Sequence, residues 1–344
     1  MKKLLRHLRA SSLLLLAITI FGCGGGGGGG GGGSSDSPAV SGNDTAPRGL
    51  SSSPYQVQLL GTLGEDNYAV AINDSGQVVG NYLADDGTQH LFRWSDGNLT
   101  HLVGSAQATD INDAGEVSGW LFTDKGTEAF IYTDQVYLFD LPEGSSRAYA
   151  LDSAGRVAGR FSGETEQAFL DEDGAPIMLA PELDAYAIGI NDPGQILIKE
   201  LRPSGFHTLL MQPDGSMVDL GSFGGGCTQA SDINESGQVA GWSQTSAGKY
   251  QAFLWENGRM ISLAEPEWSY SSAVAIDDAG RILIKATVGT EDEVFLWEDG
   301  RLTNLENFER EYVEVADMNN EGQIVGWTVA GGGKFQAFLA TPVR

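Results

Sequence analysis

The sequence predicts an all-β fold: a seven-bladed β-propeller of four-stranded antiparallel blades, with the ring closed by the N-terminal strand completing the last blade. Three observations carry this expectation. A hairpin pattern, first seen as Ala71-Ile72-Asn73-Asp74-Ser75-Gly76-Gln77-Val78-Val79-Gly80, occurs seven times, with its anchoring glycine at Gly76, Gly115, Gly155, Gly194, Gly237, Gly280 and Gly322. Successive anchors lie 39 to 43 residues apart with no helical stretch between them, the period of a repeated β-architecture. The ends of the repeat region also look like two parts of one unit. The seventh unit lacks a fourth strand, whereas Tyr55-Gln56-Val57-Gln58-Leu59-Leu60-Gly61 has the fourth-strand pattern of Met217-Val218-Asp219-Leu220-Gly221 and no unit of its own. An open solenoid would instead carry dissimilar caps at its ends.

Each element of a unit has a local cause. In the first unit, Tyr68 to Ile72 is a short apolar strand. Asn73-Asp74-Ser75-Gly76 is a tight turn, because Asn and Asp side chains bond nearby backbone and glycine accepts a left-handed conformation. Gln77 to Asn81 returns as the second strand, and Ala84 to Gly87 is a variable loop. His90-Leu91-Phe92-Arg93-Trp94 has the aromatic and branched content of a strand. Asp96-Gly97 marks a second hairpin, and Asn98 to Leu102 is the fourth strand. The third-strand pattern returns as Glu128-Ala129-Phe130, Gln167-Ala168-Phe169, Gln251-Ala252-Phe253, Glu293-Val294-Phe295 and Gln336-Ala337-Phe338. The second turn returns as Asp173-Gly174, Asp214-Gly215, Asn257-Gly258 and Asp299-Gly300. Apolar residues at successive positions imply strands covered on both faces, as when sheets stack on one another.

These motifs closely resemble the bacterial HAF repeat, named for a His-Ala-Phe-like third strand. Here those positions read His90-Leu91-Phe92 and Gln251-Ala252-Phe253, and the Ile-Asn-x-x-Gly-Gln-Val-x-Gly hairpin matches best at Ile72 to Gly80 and Ile233 to Gly241. The resemblance spans about residues 55–340. It implies an extracellular repeat protein and supplies no catalytic residues. In units four and six, Ile198 and Ile284 replace the second glycine of the hairpin. If that glycine permits close backbone approach, those two units need wider spacing or a smaller neighbour.

Composition bounds the address and the partners. The chain has 344 residues and a formal net charge of −26. Lys2, Lys3, Arg6 and Arg9 precede an apolar run from Leu13 to Phe21, as in a secretory signal too short to serve as a membrane span. Ile20-Phe21-Gly22-Cys23 resembles the lipobox of bacterial lipoproteins, although Phe21 is bulky for its position. The implied organisation is a signal peptide over 1–22, a lipidated Cys23 with a Gly/Ser-rich tether over 23–54, and the propeller over 55–344. Gly24 to Gly33 is an unbroken glycine run that cannot bury enough apolar surface to fold. As a Gly-rich coil, residues 24–54 would have an end-to-end distance of roughly 30 Å. By the same resemblance, Gly24 after the cysteine favours the outer membrane. Without residues 1–22, 16 basic side chains face 46 acidic ones, a net of −30, so nucleic acid is not an expected partner. Two cysteines make no disulfide framework, and Cys227, in a glycine-rich stretch expected to be a loop, reads as structural. A monomer is expected.

For function, the sequence favours a binding or scaffolding module for a protein, peptide or envelope glycan. The alternatives are a propeller-type polysaccharide hydrolase or lyase, which would need two carboxylates converging in the channel, and a purely structural envelope lipoprotein. The repeats hold no His-Glu-x-x-His, Gly-x-Ser-x-Gly or Walker-type motif, so no catalytic residue is assigned. Neither cofactor nor metal is expected. Asp110-Ile111-Asn112-Asp113, Asp232-Ile233-Asn234-Glu235 and Asp317-Met318-Asn319-Asn320 look like half a Ca²⁺ loop but lack its distal glutamate; they read as turn chemistry. The candidate ligand site is a ring five residues after each anchor: Asn81, Trp120, Arg160, Lys199, Trp242, Lys285 and Trp327. If the first two strands are innermost, these residues circle one mouth of the channel, where Trp could stack on sugars and Arg or Lys could hold carboxylates. Alternatively, the Trp side chains pack between blades and the basic ones balance local acids.

Overall fold

The computed structural model describes residues 54–310 and 312–343; the expected signal peptide, Cys23 and the glycine run lie outside them. Among the described residues, 28 strands form seven four-stranded antiparallel sheets, with one 3-10 turn at Glu306–Glu309. Blade 1 is typical: Asn67–Ile72, Val78–Leu83, Gln89–Ser95 and Asn98–Gly104 lie side by side in chain order. The first strands of successive blades neighbour one another around the ring, and Val313–Met318 of blade 7 meets Asn67–Ile72 of blade 1. First strands are therefore innermost.

Closure is as the sequence predicts. Tyr55–Leu59 is the outer strand of blade 7 and pairs antiparallel with Phe335–Pro342, placing Val57 opposite Ala340 and Leu59 opposite Phe338. The Tyr55 ring meets Phe308 edge-on at 5.6 Å. A sheet edge in blade 7 is covered by this pairing.

The apolar core lies between blades. Ile72, Val78 and Phe92 of blade 1 pack with Val325 and Leu339 of blade 7, and Ala71, Val79 and Leu91 pack with Val117 and Phe130 of blade 2. The hairpin's second glycine makes this tight packing possible. A Cβ on Gly80 would lie 2.1 Å from the Tyr68 carbonyl oxygen and 2.6 Å from the Phe92 ring. Third-strand phenylalanines 92, 130, 169, 253 and 338 cover these glycines and are fully buried. The two exceptional blades accommodate isoleucine differently. Blade 4 pairs Ile198 with Leu209 in place of phenylalanine. Blade 6 pairs Ile284 with Phe295, whose ring packs against Trp268 at 4.7 Å.

Both hairpin turns lie on one face of the ring, the turn face. Gly76 has φ 74° and its N–H donates to the Asn73 carbonyl at 2.9 Å. The second turns at Asp96-Gly97, Asp173-Gly174, Asn257-Gly258 and Asp299-Gly300 have both central residues at positive φ, as a type I′ turn requires. Asp214-Gly215 differs. Only Gly215 has positive φ, and the turn closes through Gln212 and Ser216. Cys227 was expected in a loop; it is buried within the strand Gly224–Ile233.

A ladder of side chains ties the turn face together. Asn73 Nδ2 donates to the Asn112 carbonyl of the next blade at 2.9 Å, Asn112 Nδ2 to Asp152 at 3.0 Å, and Asn319 Nδ2 back to Asn73 at 2.9 Å. Blades 3 and 6 carry Asp152 and Asp277 instead, and there Arg156 and Arg281 pair with the aspartate and reach the carbonyls of Asp192 and Asn320. Exchanging Asn with Gln or Glu for Asp with Arg thus keeps a link to the next blade, one residue further along its turn.

Candidate functional site at the loop mouth

Opposite the turn face lies the loop face, where second strands end and blade-to-blade connections run. Register places all seven predicted ring residues at one level near this face. Each sits opposite an inner-strand residue: Tyr68 with Asn81, Gln107 with Trp120, Arg147 with Arg160, Tyr186 with Lys199, Gln229 with Trp242, Ser272 with Lys285, and Glu314 with Trp327. They stand one strand back from the innermost strands, at the seams between blades.

Their contacts follow from that position. Asn81 Oδ1 accepts the Ala108 N–H of blade 2 at 2.9 Å. Trp327 meets Tyr68 of blade 1 edge-on at 5.6 Å, and Trp242 meets Tyr250 at 5.0 Å. Lys199 is 4% exposed; its Nζ donates to Gln229 Oε1 at 2.7 Å and lies 3.9 Å from the Phe206 ring centroid. Burial pulls its pKa down to about 8. Lys285 pairs with Glu314 of blade 7. Trp120, also buried, meets Tyr149 of blade 3 at 6.1 Å.

Between blades 2 and 3 the seam opens into a cleft of about 660 Å³. Arg147, Arg160, Thr127, Ser145 and Ser162 line it, and Phe122 stands at it with 44% of its surface exposed. Arg147 lies with its guanidinium 4.9 Å from the Trp120 ring centroid, and its Nε faces Thr127 Oγ1 at 3.4 Å. Arg160 Nε lies 3.3 Å from Glu166 Oε2, while Glu166 Oε1 accepts from Ser162 Oγ at 2.7 Å. Arg160 was predicted; Arg147 was missed. Its sequence signal is a second register, eight residues before each anchor glycine, which reads Tyr68, Gln107, Arg147, Tyr186, Gln229, Ser272 and Glu314.

The three Ca²⁺-like stretches do something else. Asp110, Asp232 and Asp317 lie on inner strands beside a β-bulge, a feature that leaves backbone groups unpaired. Each carboxylate accepts its own following N–H and one from the next blade. Asp110 takes Ile111 and Leu151, Asp232 takes Ile233 and Ile276, and Asp317 takes Met318 and Ile72, all at 2.8 to 2.9 Å. Burial raises the pKa of Asp110 to about 7 and of Asp232 to about 6, against these N–H bonds. Burial and repulsion from Asp232 and Asp110 raise that of Asp317 as well. Asp232 repels Asp110 and Asp317 electrostatically, but both oxygens of each carboxylate already accept backbone N–H groups, one from its own strand and one from the next blade.

No protein-family model matches the chain, and no curated protein matches it. Solved structures sharing the architecture include virginiamycin B lyase from Staphylococcus aureus, with a TM-score of 0.57, 13% identity, and coverage of 84% of this chain and 100% of that one. Another is the β-propeller domain of the Trilobed protease from Pyrococcus furiosus, with a TM-score of 0.58, 9% identity, and coverage of 81% and 94%. That domain is described as having an open velcro topology, whereas blade 7 here is completed by Tyr55–Leu59. An acylaminoacyl peptidase from Pyrococcus horikoshii aligns with a TM-score of 0.55 at 9% identity, over 79% of this chain and 51% of that one. At such identities the likeness extends to the fold alone.

Proposed function

We propose that this propeller, built of HAF-like repeats, is a lipid-anchored module of the cell envelope, on the outer membrane or cell surface, that binds a protein, peptide or envelope glycan on its loop face. The observation that carries this reading is the cleft between blades 2 and 3. It gathers two guanidiniums, four hydroxyls and an exposed aromatic ring in a chain of net charge −26. Concave sites with a few convergent polar groups are where small ligands and termini bind. The lipobox-like Ile20 to Cys23 supports the anchor.

Two measurements test the reading. Metabolic labelling with a radioactive fatty acid should mark the full chain and not Cys23→Ala, and only the wild type should fractionate with membranes. Arrays of envelope glycans and peptides, probed with the purified full chain, should give saturable binding. A protein that labels equally in both forms is not anchored through Cys23, and one that saturates on no array is not this kind of binder.

A further inference from the structure

Arg147 and Arg160 face each other directly across the inner pair of strands in blade 3. Like charges in directly opposed register destabilise a sheet. Only blade 3 carries such a pair at this level; the equivalent positions elsewhere hold at most one charged residue, opposite a neutral one. Glu166 offsets one of the two charges. Among the described residues, no carboxylate lies within ion-pair distance of Arg147. Its charge is held instead against the Trp120 ring at 4.9 Å, with Nε directed to Thr127 Oγ1. The cleft therefore keeps one uncompensated, oriented cation in a strongly acidic protein.

We infer that this cleft binds the carboxylate of an acidic sugar, a uronic acid unit within a glycan, with Arg147 and Arg160 as its anion clamp. The inference rests on the loop-face binding reading and names its ligand class. A guanidinium meets a carboxylate through two parallel N–H donors. Thr123, Thr127 and Ser145 line the cleft with hydroxyls that can donate and accept, and Ser162, which donates to Glu166, can still accept; this mixture matches the ring hydroxyls of a sugar. Phe122 offers an exposed aromatic face for the C–H side of the ring. A peptide terminus would also satisfy the arginines, but its side chains call for an apolar pocket, and Phe122 is the one large apolar side chain in the lining.

The test is calorimetric titration of the full chain with oligogalacturonate, with the same oligomer after carboxyl reduction, and with a short peptide bearing a free C-terminus. Arg147→Gln and Arg160→Gln are measured beside wild type; removing one of two opposed charges leaves the sheet unstrained, and melting curves check folding. The expected result is binding of the uronate alone, weakened at least 10-fold by either substitution. Equal binding of the reduced oligomer overturns the carboxylate, and preference for the peptide overturns the sugar. Uronate binding unchanged in both variants moves the site elsewhere and leaves the loop-face reading standing. Absence of uronate binding overturns the inference; if array screening is also empty, the broader reading falls separately.

Discussion

Substituting Gly159 by alanine tests how the blades are packed. The added Cβ would lie 2.2 Å from the Arg147 carbonyl oxygen and 2.8 Å from the Phe169 ring. Ordinary contact needs about 1 Å more, and the first obstacle is backbone inside a sheet covered on both faces. Overpacking of this kind costs about 3 kcal/mol, the upper part of its usual range. For a body of roughly 290 residues, an unfolding entropy of ~2.1 cal/mol/K per residue converts that to a fall in Tm of about 5 °C. Scanning calorimetry of Gly159→Ala against wild type provides the measurement. Blade 4, with Ile198 opposite Leu209, indicates the remedy. Phe169→Leu added to Gly159→Ala should recover part of the loss, although Phe169→Leu alone is destabilising. A Gly159→Ala protein melting within 1 °C of wild type would refute the account of close approach.

Three further outcomes are expected. Asp110, Asp232 and Asp317 have folded-state pKa values above the ordinary 3.8, so their ionisation opposes folding. The stability they contribute is complete below about pH 4 and is lost as pH rises toward 7. At about 1.4 kcal/mol per pH unit, Asp110 contributes on the order of 2–4 kcal/mol, and Tm should be higher at pH 5 than at pH 8. In Asp317→Asn that slope should flatten; an unchanged slope would count against the assignment. On the turn face, Asp152→Asn strands the Arg156 guanidinium and should cost about 1–3 kcal/mol, whereas Asp152→Asn with Arg156→Gln, copying blade 1, should regain most of it in a denaturant-based double-mutant cycle. Deleting residues 51–60 should lower Tm and promote self-association, since it bares the edge of Phe335–Pro342; light scattering would detect this, and a monomer with unaltered melting would contradict it.

Much of the fold was legible because one short pattern is written seven times. The anchor glycine, the Asn-Asp turn and the strand-four pattern of Tyr55 to Gly61 are local signals, and together they specify ring, blade and closure. The site was less legible because its parts are set by contacts between units. Arg160 could be placed by counting from an anchor, but its opposition to Arg147 depends on strand pairing. The ring residues could be assigned a level, yet whether Trp120 or Lys199 meets solvent or a neighbouring blade depends on how the sheets stack. The carboxylates of Asp110, Asp232 and Asp317 looked like fragments of an ion-binding loop because the backbone groups they serve lie about 40 residues onward or across the closure of the ring.

Pairing Tyr55–Leu59 with Phe335–Pro342 also fixes an order of events. The segment that leaves the ribosome first among those described must wait for one of the last before either is satisfied. As the chain is made, this stretch stays unpaired while six sheets are delivered, and the circle cannot be sealed by any partial chain. Premature release or truncation near residue 335 would therefore yield a molecule whose early part is intact and whose ends remain available to strangers.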